Sequence, residues 1–213
     1  MEKETKGGNK EPEKLGHHHE DKEKNKVLKI IVIGAFVVVI AFFLGLALMK
    51  ELQKNKVGDT SFERVNVGGG LYFYKTTLTI TFNEKKVNLE VYLRTNPKVL
   101  EKIPFEGESI ELTELLVLNT TDEFKCNGDG AIAVGNVAST FNYLGSKLGL
   151  DPNATCDPQG RYTFVEIDVG NETKIVQNDK TCYIITIKDC EILKGTERLI
   201  QLELDEINSA RKR

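Results

Sequence analysis

The chain has 213 residues, four cysteines and no tryptophan, and its 29 basic and 32 acidic side chains give a net charge of −3. From residue 57 onward, 18 Lys and Arg stand against 24 Asp and Glu. This negative balance excludes nucleic acid as an expected partner, because phosphate binding calls for the opposite charge.

The chain begins with a charged segment, residues 1–26, that we expect to be a disordered tail. Residues 1–29 hold eight Lys, seven Asp or Glu and almost nothing apolar, so they cannot bury enough surface to offset their conformational entropy. His17–His19 could bind a metal weakly, but a solvated tract is the simpler interpretation. We therefore expect no metal site and no cofactor.

Residues 27–50 are predicted to form a transmembrane helix around the apolar segment Ile30–Met49. These 20 residues carry no charge and would span about 30 Å as a helix, which matches a bilayer core. A core helix of a soluble protein would show a polar stripe, and this segment shows none. A cleaved signal peptide is the alternative, with Gly45–Ala47 as a cleavage site of small residues. With the helix retained, the lipid bilayer is a predicted partner.

The features of the remaining chain place it outside the cell. All four cysteines follow the apolar segment, and an even number of cysteines in a modest domain is typical of an oxidising compartment. Three N-x-Ser/Thr sequons, candidate glycosylation sites, lie there too: Asn119, Asn153 and Asn171. We predict a single-pass protein of the cell membrane with a cytoplasmic N-terminus and an extracytoplasmic C-terminal domain.

Residues 57–213 are predicted to form one α+β domain. Apolar residues alternate with polar ones from Tyr72 to Phe82 and again from Val87 to Leu93, which predicts an antiparallel hairpin. Gly68–Gly70 precedes a strand pattern rather than a helix, so we interpret it as a turn and not as a phosphate loop. A third strand is expected near Ile110–Leu118.

Two helices are predicted in this domain, one after each group of three strands. Apolar residues recur at helical spacing over Gly130–Leu148, with Asp129 as N-cap, and over Glu191–Ile207. Between them lie strand patterns at Tyr162–Val169, Lys174–Gln177 and Cys182–Ile187. The order βββ-α-βββ-α predicts an antiparallel sheet with about two helices packed on one face.

Several segments of the domain resemble uncharacterised archaeal single-pass membrane proteins with a disulfide-containing extracytoplasmic domain. The resemblance lies in Leu93–Pro97, in Ile103-Pro104 and in Asp189–Leu193 with the following Thr196–Arg198. It would cover most of residues 70–205, and it implies no activity.

Four cysteines allow three disulfide pairings. Cys156 and Cys182 are equidistant from Val169, beside the Gly170-Asn171 turn, and a hairpin folded there would bring them together. We therefore predict Cys156–Cys182, which leaves Cys126–Cys190 to join the starts of the two helices. Cys126–Cys156 and four free thiols remain the alternatives that peptide mapping would detect.

The motif content favours binding over catalysis. No histidine follows His19, which removes Ser-His-Asp triads, Cys-His dyads and histidine metal sites. No C-x-x-C pair occurs. Glu166 and Asp168 share one strand face, but two acidic residues there are more typical of a solvated surface than of a catalytic pair. We predict a membrane-anchored module for binding or assembly, with other membrane or surface proteins as partners and no specific small molecule. The alternative is a surface hydrolase that uses carboxylates or a Ser/Lys pair.

Overall fold

A computed structural model describes residues 17–52, 54–82, 85–120, 126–149 and 151–212 of the protein. The chain divides into two compact units, residues 1–52 and residues 53–213. Each unit is described by itself.

The first unit contains helix α1, His17–Leu52. It includes residues 17–26, which the composition had assigned to the disordered tail; residues 1–16 lie outside the described part. No Gly or Pro interrupts the sequence from His17 to Lys29, and Glu20 stands four residues before Lys24, a spacing that favours a helix.

The predicted anchor falls inside α1, although the side chains of Ile30, Ala47 and Met49 are not among those described. Within the described residues, no helix has both the length and the hydrophobicity required of a membrane span.

The described part of the second unit contains ten strands and three helices. The strands are β1 (Lys54–Val57), β2 (Thr60–Gly68), β3 (Leu71–Phe82), β4 (Lys85–Leu93), β5 (Phe105–Glu106), β6 (Leu115–Thr120), β7 (Lys147–Gly149), β8 (Thr163–Val169), β9 (Lys174–Asp179) and β10 (Cys182–Ile187). The helices are α2 (Pro97–Leu100), α3 (Asp129–Tyr143) and α4 (Ile192–Ala210). The mixed content confirms the predicted α+β class.

The first four strands form an antiparallel sheet, which we call the meander, in the order β1-β2-β3-β4. The predicted β3–β4 hairpin is confirmed, with Tyr74 opposite Leu93 and Ile80 opposite Val87. The turn predicted at Gly68–Gly70 is also confirmed, because β2 ends and β3 begins there and all three glycines have positive φ. Strands β1 and β2 were not predicted.

The other six strands form a mixed sheet in the order β5-β9-β10-β8-β6-β7. The prediction of a single antiparallel sheet is therefore wrong for this half. Strand β10 lies between β8, to which it is parallel, and β9, to which it is antiparallel. The expected β8–β9 hairpin does not form, because Gly170 packs against Thr186 of β10 and donates its N–H to the carbonyl of Ile187.

Two element boundaries differ from the prediction around α3. The helix ends at Tyr143, not near Leu148, because Gly145 has a φ of 110° and the chain then pairs with β6 as β7. The third strand lies at Leu115–Thr120 rather than at Ile110–Leu118. Asp129 is the first residue of the helix, and Gly128 occupies the N-cap position.

One hydrophobic core joins both sheets to the helices. It includes Phe62 and Leu93 of the meander, Ile185 of β10, Phe141 of α3 and Leu199 of α4. A smaller cluster, formed by Val117, Phe164 and Cys182, lies on the opposite face of the six-stranded sheet. Ala154, Cys156 and Tyr162 pack against this second cluster, so the loop before β8 covers this part of that face.

Candidate functional site

Two disulfides link the second unit, and they are the two pairs that the sequence favoured. Cys126, in a 3-10 turn before α3, bonds to Cys190, just before α4, with 5.5 Å between their Cα atoms. Cys156 bonds to Cys182 at the start of β10, with a Cα separation of 5.4 Å.

The reason given for the Cys156–Cys182 pair was wrong, because no β8–β9 hairpin forms. In the structure Cys182 lies opposite Phe164 on the parallel strand β8. Cys156 belongs to the loop that leads into β8, so it arrives at the same edge of the sheet as the start of β10. The parallel pairing of β8 and β10 therefore brings the two sulfurs together. The prediction had instead relied on an antiparallel turn between β8 and β9.

One cleft of the second unit, which we call the amide cleft, has a volume of about 540 Å³. It is lined by residues of β6 and β8 and by the loop between β7 and β8: Leu118, Asn119, Thr120, Pro152, Asn153, Ala154, Thr155 and Glu166. Asn119 and Glu166 are direct neighbours on adjacent parallel strands. Most of these described lining groups are uncharged amides, hydroxyls and backbone atoms, and among them Glu166 alone has an ionisable side chain.

Hydrogen bonds hold the loop wall of the amide cleft. The Asn119 amide donates to the carbonyl of Ala154 at 3.3 Å, and the Tyr162 hydroxyl donates to the carbonyl of Thr155 at 2.7 Å. The Cys156–Cys182 disulfide follows directly in the chain. The wall is therefore fixed at Ala154 and at the two residues that follow it.

The next turn of the loop is organised by the carboxylate of Asp157. It accepts hydrogen bonds from the backbone N–H of Gln159 at 3.2 Å and of Arg161 at 2.9 Å, and from the Arg161 guanidinium at 2.8 Å. The side-chain bond from Arg161 lowers the pKa of Asp157 to about 2, with the backbone bonds adding to the effect. This carboxylate is a structural group that shapes the loop beside Cys156.

The three sequon asparagines differ in their surroundings. Asn153 and Asn171 are exposed, whereas Asn119 is half-buried and its amide nitrogen is engaged with Ala154. Asn119 and Asn153 line the same cleft. The sequence pattern could flag each of these residues, but it could not show that two of them lie together.

A smaller cleft of about 310 Å³, the lysine cleft, lies where the start of α4 meets the turns around it. Its charged residues are Lys102, Lys188, Lys194, Glu172 and Glu191. Glu191 accepts hydrogen bonds from Lys194 at 2.6 Å and from Thr173 at 2.8 Å, and these two bonds, Lys194 first, lower its pKa. Part of the charge in this cleft is therefore neutralised within the protein.

Two acidic side chains of α4 are buried, and sequence reasoning did not single out either of them. Glu197 accepts backbone N–H groups from Arg94 at 2.6 Å and Thr95 at 2.9 Å. Burial raises the pKa of Glu197, while the bonds from Arg94 and Thr95 oppose that rise. Glu197 thus fastens the end of the meander to α4.

Glu203 lies six residues, nearly two helical turns, further along α4 and is buried. Its Oε2 atom is buried and has no hydrogen-bond partner among the described residues. Burial, with a smaller contribution from the charge of Glu206, raises the pKa of Glu203 to about 8. Neither cleft includes this residue, so its protonated carboxyl belongs to the core of the second unit.

The other candidate site residues from the sequence are Glu166, Asp168 and His17–His19. Glu166 and Asp168 share one face of β8 as predicted, but only Glu166 lines the amide cleft. The side chains of His17–His19 are outside the described residues. Among the residues that the structure describes, no group of three or more His, Cys, Asp or Glu side chains could hold a metal ion.

Comparisons of the chain with protein-family models, with curated proteins and with solved structures found no match. The resemblance to archaeal single-pass membrane proteins stays a prediction.

Proposed function

We propose that this protein is a membrane-anchored extracytoplasmic module that binds a ligand or partner and catalyses no reaction. The anchor is Ile30–Met49, the tail before it is cytoplasmic, and the second unit lies outside. The recognition site is the amide cleft.

The observation that carries the anchor is the exposed apolar surface of α1. Large apolar side chains from Ile31 to Leu48 are exposed, with exposed fractions of 61% and 64% at these two ends. Soluble proteins rarely expose an apolar surface of this extent, because its contact with water is costly. A bilayer removes that cost around the whole circumference of the helix.

The external placement of the second unit is supported by its two disulfides. Disulfides persist in oxidising compartments and are rare where thiols are kept reduced. The exposed sequon asparagines Asn153 and Asn171 are consistent with the same side of the membrane.

The chemistry of the amide cleft favours an uncharged, hydrogen-bonding ligand such as a glycan or a peptide segment. Its described lining offers the amide oxygen of Asn119, the hydroxyls of Thr120 and Thr155 and the carboxylate of Glu166. Binding sites that select by hydrogen bonding gain specificity because an unmatched polar group is costly to leave unpaired.

The anchor is tested by charged substitutions in the middle of the apolar segment. The double variant Val38→Lys, Phe42→Lys should lose membrane insertion, because each central lysine costs about 3 kcal/mol. The matched control is Val38→Leu, Phe42→Leu. Alkaline extraction of cell membranes should leave wild type and control in the pellet and release the lysine variant. Release of all three proteins would overturn the anchor.

Topology is tested by protease treatment of intact cells. We expect digestion of residues 57–213 and protection of the tail. Digestion of the tail alone would reverse the orientation.

The recognition site is tested by screening the purified protein against uncharged oligosaccharides and peptides. Glu166→Gln should weaken any binding that uses the amide cleft. Glu172→Gln, a matched change in the lysine cleft, should leave binding unchanged. Equal loss in both variants, or in neither, would contradict the assignment of the cleft.

A surface hydrolase is the alternative, and the position of Glu166 in a cleft of about 540 Å³ is the observation that favours it. A carboxylate there could act as a general acid or base. Turnover of a substrate on the same panel, abolished by Glu166→Gln, would establish the enzyme and replace the binding proposal.

A further inference from the structure

The turn between β2 and β3 carries an uncharged, apolar end of the meander. Residues 65–74, which we call the glycine tip, read VNVGGGLYFY and contain no charged side chain. Its Val67 and Leu71 are exposed by 53% and 65%, and Tyr72 is exposed by 40%. Further back along β2, Thr60 and Phe62 are buried. The meander therefore leaves the core and ends in a projecting apolar turn.

Two arginines stand directly behind the apolar end, one on each face of the sheet. The Arg64 guanidinium lies 3.7 Å from the centre of the Tyr72 ring, and the Arg94 guanidinium lies 5.8 Å from the centre of the Phe73 ring. Tyr72 and Phe73 are consecutive residues of a strand, so their side chains point to opposite faces. The order from the end inward is aliphatic, aromatic, cationic.

This order matches the layers of a bilayer surface. Aliphatic side chains partition into the acyl region, aromatic rings favour the headgroup level, and arginines reach lipid phosphates. In a turn exposed only to water, the apolar side chains of Val67 and Leu71 would make no favourable contacts, and polar side chains would be better solvated.

Within the second unit, the glycine tip extends past the end of the sheet at which β1 begins. Lys54, the first residue of β1, lies opposite Glu63 of the antiparallel β2, and β2 then continues for five residues to Gly68. At about 3.3 Å per residue this extension is roughly 16 Å. The tip therefore extends well beyond the first residue of β1 within the second unit.

We propose that the glycine tip inserts into the interfacial layer of the same bilayer that holds the anchor. The proposal rests on the proposed membrane anchoring. Val67 and Leu71 enter the boundary of the acyl chains, and Arg64 and Arg94 contact lipid phosphates. The second unit is thereby held against the membrane at two points, the linker before β1 and the tip, and its orientation on the surface is fixed.

Fluorescence can test this contact, because the chain contains no tryptophan. Leu71→Trp places a single reporter at the exposed end of the tip. Val87→Trp is the matched control, an exposed apolar residue of the same sheet that lies opposite Ile80, about 30 Å along β3 from Leu71. The full chain of each variant is reconstituted in phosphatidylcholine vesicles with brominated acyl chains, and acrylamide serves as the aqueous quencher.

We expect Leu71→Trp to show blue-shifted emission with several-fold stronger quenching by brominated lipid than Val87→Trp, and weaker quenching by acrylamide. Solvent-like behaviour of Leu71→Trp would overturn the proposal, and so would equal lipid quenching of both variants. Protection of Leu71→Trp from both quenchers would also overturn it, because a protein surface would then cover the tip. Flotation of the same vesicles separates the two proposals: protein absent from the vesicle fraction refutes the anchor and the tip together, whereas floating protein without lipid quenching refutes the tip alone.

Discussion

The meander and the six-stranded sheet share one core but are held together by contacts of different range. Every strand pair of the meander joins strands that follow each other in the chain. In the six-stranded sheet, β5 pairs with β9, β6 pairs with β8, and β8 pairs with β10. Closing such distant pairs costs more chain entropy than closing a hairpin. Parallel strands cannot be joined by a tight turn, so this cost is unavoidable there.

Both disulfides lie in the part of the second unit that contains the six-stranded sheet, not in the meander. Both bonds lie among the elements of the six-stranded sheet and the helices that flank it, with sequence separations of 64 and 26 residues. The meander contains no cysteine. Covalent links are thus placed where the pairing is non-local, and the locally paired sheet relies on its hairpins and on the shared core.

The largest expected effect is the loss of a disulfide. Cys126→Ala, Cys190→Ala should reduce the free energy of unfolding by roughly 4 kcal/mol, and Cys156→Ala, Cys182→Ala by roughly 3.5 kcal/mol, because the longer loop restricts the unfolded chain more. Denaturant unfolding monitored by circular dichroism measures both losses. A larger loss from the shorter loop would show that local packing, not loop entropy, decides the difference.

A pH-dependent effect of nearly the same size is expected at Glu203 on α4. Its folded pKa, about 8, is higher than the ordinary value of 4.5, so the folded state binds the proton more tightly than the unfolded state does. Stability is therefore fully present below about pH 4.5 and is lost as pH rises toward 8. At about 1.4 kcal/mol per pH unit, the loss between about pH 4.5 and pH 7 is roughly 3.5 kcal/mol.

The variant Glu203→Gln removes this titration. Its stability relative to wild type should increase as pH rises from about 5 to 8, measured by unfolding at a series of pH values. Glu206→Gln, which removes the neighbouring charge, serves as the control and should reduce the pH dependence only slightly. A difference between wild type and Glu203→Gln that does not change with pH would contradict the assignment.

The junction between the meander and α4 should weaken when Glu197 is replaced. Glu197→Ala leaves the N–H groups of Arg94 and Thr95 without their acceptor, at a cost of about 3 kcal/mol. Glu197→Gln keeps one acceptor oxygen and should lose less. Amide hydrogen exchange should rise first around residues 93–96, where β4 meets α2. Equal exchange in Ala and Gln variants would mean that the carboxylate does not fasten this turn.

The smallest expected effect concerns the sequons. If the protein passes through a glycosylating compartment, Asn153 and Asn171 should carry glycans and Asn119 should not, because the Asn119 amide is half-buried and bonded to Ala154. Mass spectrometry of tryptic glycopeptides from the native source measures this. A glycan on Asn119 would show that modification precedes folding of the amide cleft.

The strand pairing of the meander was easier to predict from the sequence than that of the six-stranded sheet. The β3–β4 hairpin could be predicted because alternation on both sides of a short polar link reports local pairing. The strands β8, β9 and β10 could be predicted as strands, but alternation does not identify the neighbour of a strand, so their order could not. Strand β2 escaped prediction because Arg64 lies on the same face as Phe62, stacked on Tyr72.

The candidate site was predictable only in fragments. The sequons flagged Asn119 and Asn153 for a reason unrelated to a cleft, and Glu166 stood out only as one of two acids on a strand. Their convergence depends on the parallel register of β6 and β8 and on the path of a loop fixed by a disulfide. Glu197 and Glu203 resemble surface residues in the sequence, because an acidic side chain on an amphipathic helix is normally exposed.

Non-reducing peptide mapping tests the external, cross-linked second unit most directly. The full chain is purified from its native membranes with thiols blocked at lysis, digested and analysed by mass spectrometry. We predict two linked peptide pairs, Cys126–Cys190 and Cys156–Cys182, and no blocked thiol. A Cys126–Cys156 peptide would contradict the arrangement of the six-stranded sheet, and four blocked thiols would contradict the placement of this unit in an oxidising compartment.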